Sequence, residues 1–188
     1  MSEYYEDSDY ASASVNDSST VTGVYDSSLI INSLDFDYVV TKLRLFFKSK
    51  GFIEAHPQNR LSILAACEDP YTVTKFNYAG KDWPLPQTGQ MWLEYELLKN
   101  PNVPGYFCLS TSYRQEPNPV PGRHELIFPL FEFEMHGDMT ELIKMEEQLL
   151  QYLGYPPNKF IRKSYLTMAD KYGVKDLDHA HETRMAEE

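Results

Sequence analysis

Two strand-like segments joined by a proline-rich turn constrain the fold of this chain more than any other feature. The first covers residues 107–116 and the second covers residues 126–136, with three prolines in the turn at residues 117–122. One face of the first segment carries Phe107, Leu109, Thr111 and Tyr113. The pattern predicts a long antiparallel hairpin. Because Pro129 cannot donate to the ladder, the second strand is predicted to lie at an edge or to contain a bulge.

Helical periodicity on both sides of the hairpin predicts an α+β fold. The predicted helices cover residues 33–50, 87–99, about 138–154, 158–172 and the last ten residues. Ser33 or Asp35 is predicted to cap the first helix, and Asp138 or Thr140 is predicted to open the helix that follows the hairpin. Short strands are predicted at residues 51–57 and 71–78. The expected architecture is a mostly antiparallel sheet flanked by helices.

The start of the chain differs in composition from the rest. No Lys or Arg precedes Lys42, whereas six acidic residues lie among many serines in the first 30 positions. We therefore expect a flexible acidic tail over residues 1–30 and one core over residues 31–188. The tail lacks the basic residues of targeting peptides, and no apolar run approaches the roughly 20 residues of a membrane span, so a cytoplasmic location is expected. The net charge of −11 disfavours nonspecific nucleic-acid binding.

The cysteines and histidines do not predict a metal site. Cys67 and Cys108 are too isolated for a zinc or disulfide framework and are interpreted as small buried hydrophobic residues. His179 and His181 form an HxH pair, but no third ligand is apparent nearby. A solvated helix is the favoured interpretation of that pair.

Charged and aromatic residues converge on the predicted hairpin. Alternation places Arg114 and Glu116 on one face of the first strand, and Arg123 and His124 at the tip. One face of the return strand carries Phe128, Leu130, Glu132, Glu134 and His136. Such a surface suits a nucleotide, because arginines bind phosphate oxygens and a ring stacks on a base. Cross-strand Arg–Glu pairs are also ordinary on half-exposed sheets, so both interpretations stay open from the pattern alone.

The order of these residues resembles motif 2 of the class II aminoacyl-tRNA synthetases. The shared pattern is Arg-x-Glu beginning at Arg114, an Arg-His pair in the loop, Phe128 five residues after that arginine, and acidic residues ending the return strand. The aspartyl, asparaginyl and lysyl group, including its paralogue asparagine synthetase A, is the most similar. Residues 34–57 resemble motif 1, the dimer interface of the family, and residues 85–94 resemble its amino-acid-contacting segment. The resemblance covers residues 34–188 and implies a mixed, mostly antiparallel sheet flanked by helices, expected to be incomplete at the C-terminus.

The resemblance implies a role for each matching residue. Arg114 would be the catalytic residue, holding the ATP α-phosphate and the substrate carboxylate. The other ATP-binding residues would be Glu116 and Phe128 at adenine, and Arg123 and His124 at the β- and γ-phosphates. The amino acid would be bound by Glu68, Gln90 and Glu132, whereas Glu134 would be a structural hydrogen-bond partner. ATP and Mg²⁺ are the expected cofactors, with the metal-binding carboxylates and the motif 3 arginine expected after Glu188.

Several departures leave the function open between three hypotheses. Ile127 replaces the glutamate that usually precedes the stacking phenylalanine, Leu93 replaces the lysine of aspartyl enzymes, and no anticodon-binding domain is apparent. The leading hypothesis is ATP-dependent amino-acid activation of the asparaginyl type, in a fragment or truncated paralogue, with tRNA as one conceivable acceptor. The alternatives are an asparagine synthetase A-like ligase that uses aspartate and ammonia, and a non-catalytic dimerisation module. A homodimer through residues 34–57 is expected.

Overall fold

The computed structural model describes residues 31–57 and 73–187 as five helices and five strands. The helices are α1 (Ser33–Ser49), α2 (Gln90–Lys99), α3 (Met139–Tyr152), α4 (Tyr165–Tyr172) and α5 (His179–Glu187). The strands are β1 (Ile53–Glu54), β2 (Lys75–Tyr78), β3 (Lys81–Pro84), β4 (Gly105–Tyr113) and β5 (Ile127–Met135). The predicted acidic tail lies outside the described residues. Within them, no helix combines the length and the apolar character that crossing a membrane requires.

The predicted hairpin forms the centre of the described sheet. Strand β4 pairs with β5 antiparallel, from Gly105 opposite Met135 to Tyr113 opposite Ile127, and pairs with β1 in parallel. The strand order is β1-β4-β5, so the sheet is mixed, as predicted. In the described part of the chain, β5 is an edge strand of this sheet. Pro129, which has no N–H to donate, therefore deprives no further strand of a ladder hydrogen bond. The α+β fold class is confirmed.

One face of the hairpin packs on α1 and α3 through aromatic rings. Phe47 is fully buried and its ring centroid lies 4.8 Å from that of Phe133 and 5.5 Å from that of Phe131. Helix α1 presents this ring because its apolar residues recur at helical spacing. The cap prediction was wrong: Asn32 caps α1 by accepting hydrogen bonds from the backbone N–H groups of Leu34 and Asp35. The asparagine lies one residue earlier and still offers a short side-chain oxygen.

The opposite face of the hairpin packs on α2. Leu93 and Leu97 of this helix form a buried cluster with Tyr106 and Cys108 of β4. The predicted start at residue 87 was wrong, because α2 begins at Gln90. The preceding backbone is bound to β4 instead: the N–H of Tyr113 donates to the carbonyl of Pro86 at 2.9 Å.

Two other elements differ from the prediction in their bounds. The strand expected over residues 71–78 is one arm of a separate hairpin, and its partner β3 was not predicted. The helix expected over residues 158–172 is confined to α4, because a short 3₁₀ turn and extended backbone precede it. Ser164 caps α4 by accepting from the N–H of Thr167, which fixes the later start. Asp138 opens α3 with a capping box completed by Glu141.

Candidate functional site

Arg114 and Phe128 lie side by side at the open end of the hairpin. Strand β4 ends at Tyr113, but the N–H of Arg114 still donates to the carbonyl of Leu126 at 2.8 Å, which extends the pairing by one residue. The guanidinium carbon lies 6.0 Å from the centroid of the Phe128 ring, a cation–π distance. The structure therefore brings the predicted phosphate-binding arginine and the predicted base-stacking ring to one surface.

Glu116 does not share a strand with Arg114, so that part of the prediction was wrong. The pairing of β4 with β5 ends at Arg114, and Pro117 starts the turn soon afterwards. Strand alternation therefore does not fix the direction of the Glu116 side chain. This residue is partly buried. Its predicted contact with adenine stays a prediction.

The tip of the hairpin is closed by its own backbone and by His124. The N–H groups of Arg123 and His124 both donate to the carbonyl of Val120, at 3.1 and 2.9 Å. In return, the N–H of Val120 donates to Nδ1 of His124 at 3.2 Å. Gly122 adopts a φ of +76°, a left-handed conformation that suits glycine in such a turn. The ring of His124 is thus already part of the loop structure.

Arg123 is paired with helix α5. Its guanidinium forms an ion pair with the carboxylate of Glu182 and a hydrogen-bonding contact with Nδ1 of His179. His181 contacts Asp178 instead, with Nδ1 2.6 Å from the carboxylate. The two histidines therefore have separate partners, and among the described residues no group of three metal-ligating side chains occurs. Sequence reasoning missed the Arg123 pairing, since 59 positions separate Arg123 from Glu182.

Glu132 is bound to the start of α2. Its carboxylate accepts hydrogen bonds from the hydroxyl of Thr88 and from the N–H of Gly89, the latter at 2.7 Å. A negative charge is favourable there, because the first N–H groups of a helix have no partner within it. A side chain at position 89 would place Cβ 2.8 Å from Sγ of Cys108, so the close approach requires glycine. Glu132 thus holds the helix that begins with Gln90.

Glu134 lies on the same face, beside Gln90. Burial raises the pKa of this carboxyl, the Gln90 side chain partly offsets the shift by a hydrogen bond, and the charges of Glu94 and Glu132 add to it. Gln90 and Glu134 line a cavity of about 370 Å³ together with Asp138 and Leu142. The hydrogen bond agrees with the structural role that was predicted for Glu134. Burial and the nearby charge of Glu132 also raise the pKa of Cys108 to about 12, so this thiol stays protonated.

Most of the predicted residues therefore form two groups, and one predicted residue lies outside the described part of the chain. The hairpin end holds Arg114 and Phe128, and the start of α2 holds Gln90, Glu132 and Glu134. Arg123 and His124 lie in the turn, engaged as described above. Glu68, predicted to contact the amino acid, lies outside the described residues.

Comparison with solved structures identifies the fold. An asparaginyl-tRNA synthetase from Entamoeba histolytica matches with a TM-score of 0.64 and 19% identity, over 79% of this chain and 40% of that chain. The same enzyme in complex with asparaginyl-adenylate gives 0.60 and 19%, over 76% and 36%. The enzyme from Pyrococcus horikoshii complexed with asparaginyl-adenylate gives 0.55 and 24%, over 62% and 26%. The chain has part of the class II synthetase fold.

The class II synthetase fold agrees with the resemblance found in the sequence. The chain spans between 26% and 40% of the length of these three solved synthetases. No protein-family model matches the sequence, and no curated protein matches it significantly. The likeness therefore establishes the class II synthetase fold and assigns no residue of the site.

Proposed function

We propose that this chain takes part in ATP-dependent activation of an amino acid, of the asparaginyl type. The observation that carries the proposal is the meeting of Arg114 and Phe128 on the face of the hairpin that also holds Glu132 and Glu134. Two of the similar solved synthetases are described in complex with asparaginyl-adenylate, the product of such a reaction. Their likeness supports asparagine as the first substrate to test.

The proposed reaction joins the amino-acid carboxylate to the α-phosphorus of ATP. A carboxylate oxygen attacks phosphorus, the bond from phosphorus to the bridging oxygen breaks, and pyrophosphate leaves. Arg114 stabilises the negative charge that develops at the α-phosphate, and Phe128 holds adenine by stacking. Arg123 and His124 contact the β- and γ-phosphates, and Glu116 contacts adenine.

The amino acid binds at the start of α2 in this proposal. Gln90 is the first residue of that helix, and Glu132 fixes the helix start through Gly89. Gln90 contacts the substrate, Glu132 lies near the substrate side chain, and Glu68 reaches its amino group. Within residues 31–57 and 73–187, no cluster of three metal-ligating side chains is present to hold an Mg²⁺ that accompanies ATP.

The test is ATP–pyrophosphate exchange with asparagine, aspartate and lysine, in wild type and in Arg114→Ala. Exchange with asparagine that disappears in the variant, at an unchanged melting temperature, is the expected result. The hydroxyl-loss variant Thr111→Ala serves as a control on the opposite face of β4. Exchange that survives in Arg114→Ala would exclude the proposed role of this residue. Exchange with aspartate alone would favour the asparagine synthetase A-like alternative.

A dimerisation role is the second candidate, favoured by the surface of α1. Leu34 is 79% exposed, Tyr38 is 63% exposed and Leu45 is 56% exposed, although all three are large apolar side chains. Exposed apolar surface of this kind marks association sites. In the proposed homodimer, residues 34–57 of two copies meet. Sedimentation velocity on wild type and Leu34→Asp tests this role, because the charge should shift a dimer towards monomer.

A further inference from the structure

Ser112 links the two groups of the candidate site through a single buried hydroxyl. It lies on β4 opposite Phe128, two residues before Arg114, and its side chain is fully buried. The hydroxyl donates to the carbonyl of Gln87 at 2.7 Å and accepts from Nε of Arg114 at 3.0 Å. One oxygen therefore contacts both the guanidinium and the backbone that leads into α2.

The two hydrogen bonds fix each other's direction. A serine hydroxyl has one proton to donate, and here the carbonyl of Gln87 receives it. The lone pairs of the hydroxyl oxygen then face the Nε–H of Arg114. This N–H must be the donor, because a guanidinium has no acceptor atom. Burial strengthens both bonds, since no water competes for the oxygen.

The consequence falls on the part of Arg114 that would contact phosphate. With Nε held by Ser112, the fork of the two terminal nitrogens has a fixed orientation beside the Phe128 ring. A pre-oriented guanidinium loses less conformational freedom when it binds phosphate oxygens. Ser110 lies on the same face but its hydroxyl is 3.4 Å from the Glu132 carboxylate, a longer contact to a different group.

We propose that Ser112 is a positioning residue that orients Arg114 towards the α-phosphate and couples it to the amino-acid group through Gln87. The role in ATP binding rests on the proposed function, whereas the orientation of Arg114 does not. Gln87 lies three residues before Gln90. A displacement of Arg114 and a displacement of the start of α2 would therefore both act on the Ser112 hydroxyl.

The first test is independent of ATP. In a ¹H–¹⁵N NMR spectrum of the unliganded protein, the Nε–H signal that disappears in Arg114→Ala is assigned to Arg114. Wild type and the control Thr111→Ala should show an ordered signal, and Ser112→Ala should show an averaged one with faster exchange. An ordered, unshifted signal in Ser112→Ala would overturn the inference. If Ser112→Ala does not fold, Ser112→Cys replaces it, because the thiol fills the position of the hydroxyl and hydrogen-bonds only weakly.

The second test separates positioning from general loosening of the site. Ser112→Ala should weaken ATP binding by about fivefold while leaving adenosine binding unchanged, because Phe128 and not Arg114 holds the base. Equal weakening of both ligands would contradict a positioning role. If wild type binds neither ligand, the proposed function fails, and the NMR signal alone decides whether Ser112 orients Arg114.

Discussion

The two faces of the β4–β5 hairpin have different physical characters, although they belong to the same 18 residues of strand. One face carries Phe107, Phe131 and Phe133, whose rings surround Phe47 of α1. The other face carries Ser112, Phe128, Glu132 and Glu134, and its polar atoms bind the start of α2 and Arg114. Period-two alternation assigns each residue to one face only.

The difference shows how a short segment can combine stability with chemistry. The aromatic face is filled by rings around the buried Phe47, so the free energy that it contributes comes from burial and packing. The polar face has hydroxyls and carboxylates held by specific hydrogen bonds, so a change there alters orientation more than burial. Substitutions on the two faces should therefore have separable effects on stability and on ligand binding.

Removal of the central ring of the aromatic face should have the largest effect. Phe47→Ala deletes a fully buried side chain that contacts five other phenylalanine rings, Phe46, Phe52, Phe107, Phe131 and Phe133. We expect a loss of about 3–5 kcal/mol in the free energy of unfolding, measured by urea denaturation. Leu98→Ala, at an exposed apolar position on α2, is the control and should lose far less. A loss below about 1 kcal/mol for Phe47→Ala would show that this cluster does not hold the fold.

Release of Arg123 from α5 should have a smaller effect, on ligand binding alone. The phosphates of ATP must replace the Glu182 carboxylate if Arg123 binds them. Glu182→Gln should therefore raise ATP affinity by about two- to fivefold, the range of a surface ion pair, measured by calorimetric titration. The double variant with Arg123→Ala should abolish that gain. A gain that persists without Arg123 would mean that α5 does not compete for this guanidinium.

The smallest effect should be the pH dependence of stability at Glu134. Burial raises the pKa of this carboxyl above its ordinary value of 4.5, so the folded state binds its proton more tightly than the unfolded state does. The stability associated with this proton is present below pH 4.5 and is lost as the pH rises through the raised pKa. Glu134→Gln should flatten the decline of stability above that pH in denaturant titrations. An identical pH profile for both proteins would show that Glu134 is not perturbed.

The strand faces could be predicted from the sequence because alternation is local. Phe107, Leu109 and Thr111 share a face as expected, and Arg114 and Phe128 lie together as expected. Helices α1 and α3 also follow from periodicity, and the start of α3 follows from its capping residue Asp138. The placement of the candidate residues was therefore predicted within the paired strands, whereas Glu116 lies beyond their end.

The contacts that were missed depend on distant residues or on competing backbone bonds. The pairing of Arg123 with Glu182 joins two elements whose relative placement no local pattern specifies. The late start of α2 results from hydrogen bonds of residues 86 and 87 to β4, which helical periodicity does not reveal. Ser112 was overlooked for the same reason, although it shares the alternation of Arg114.

The most direct test of this account compares Phe128→Ala with Phe131→Ala, two identical changes three residues apart on β5. Melting temperature and calorimetric ATP, AMP and pyrophosphate titrations should be measured for both, at a temperature where both are folded. Phe128→Ala should lose affinity for ATP and AMP, by about 1–3 kcal/mol for a stacked base, and keep its affinity for pyrophosphate and its melting temperature. Phe131→Ala should melt lower and bind all three ligands like wild type. Equal ATP affinity in wild type and Phe128→Ala, or a parallel loss of both properties in both variants, would contradict the separation of the two faces.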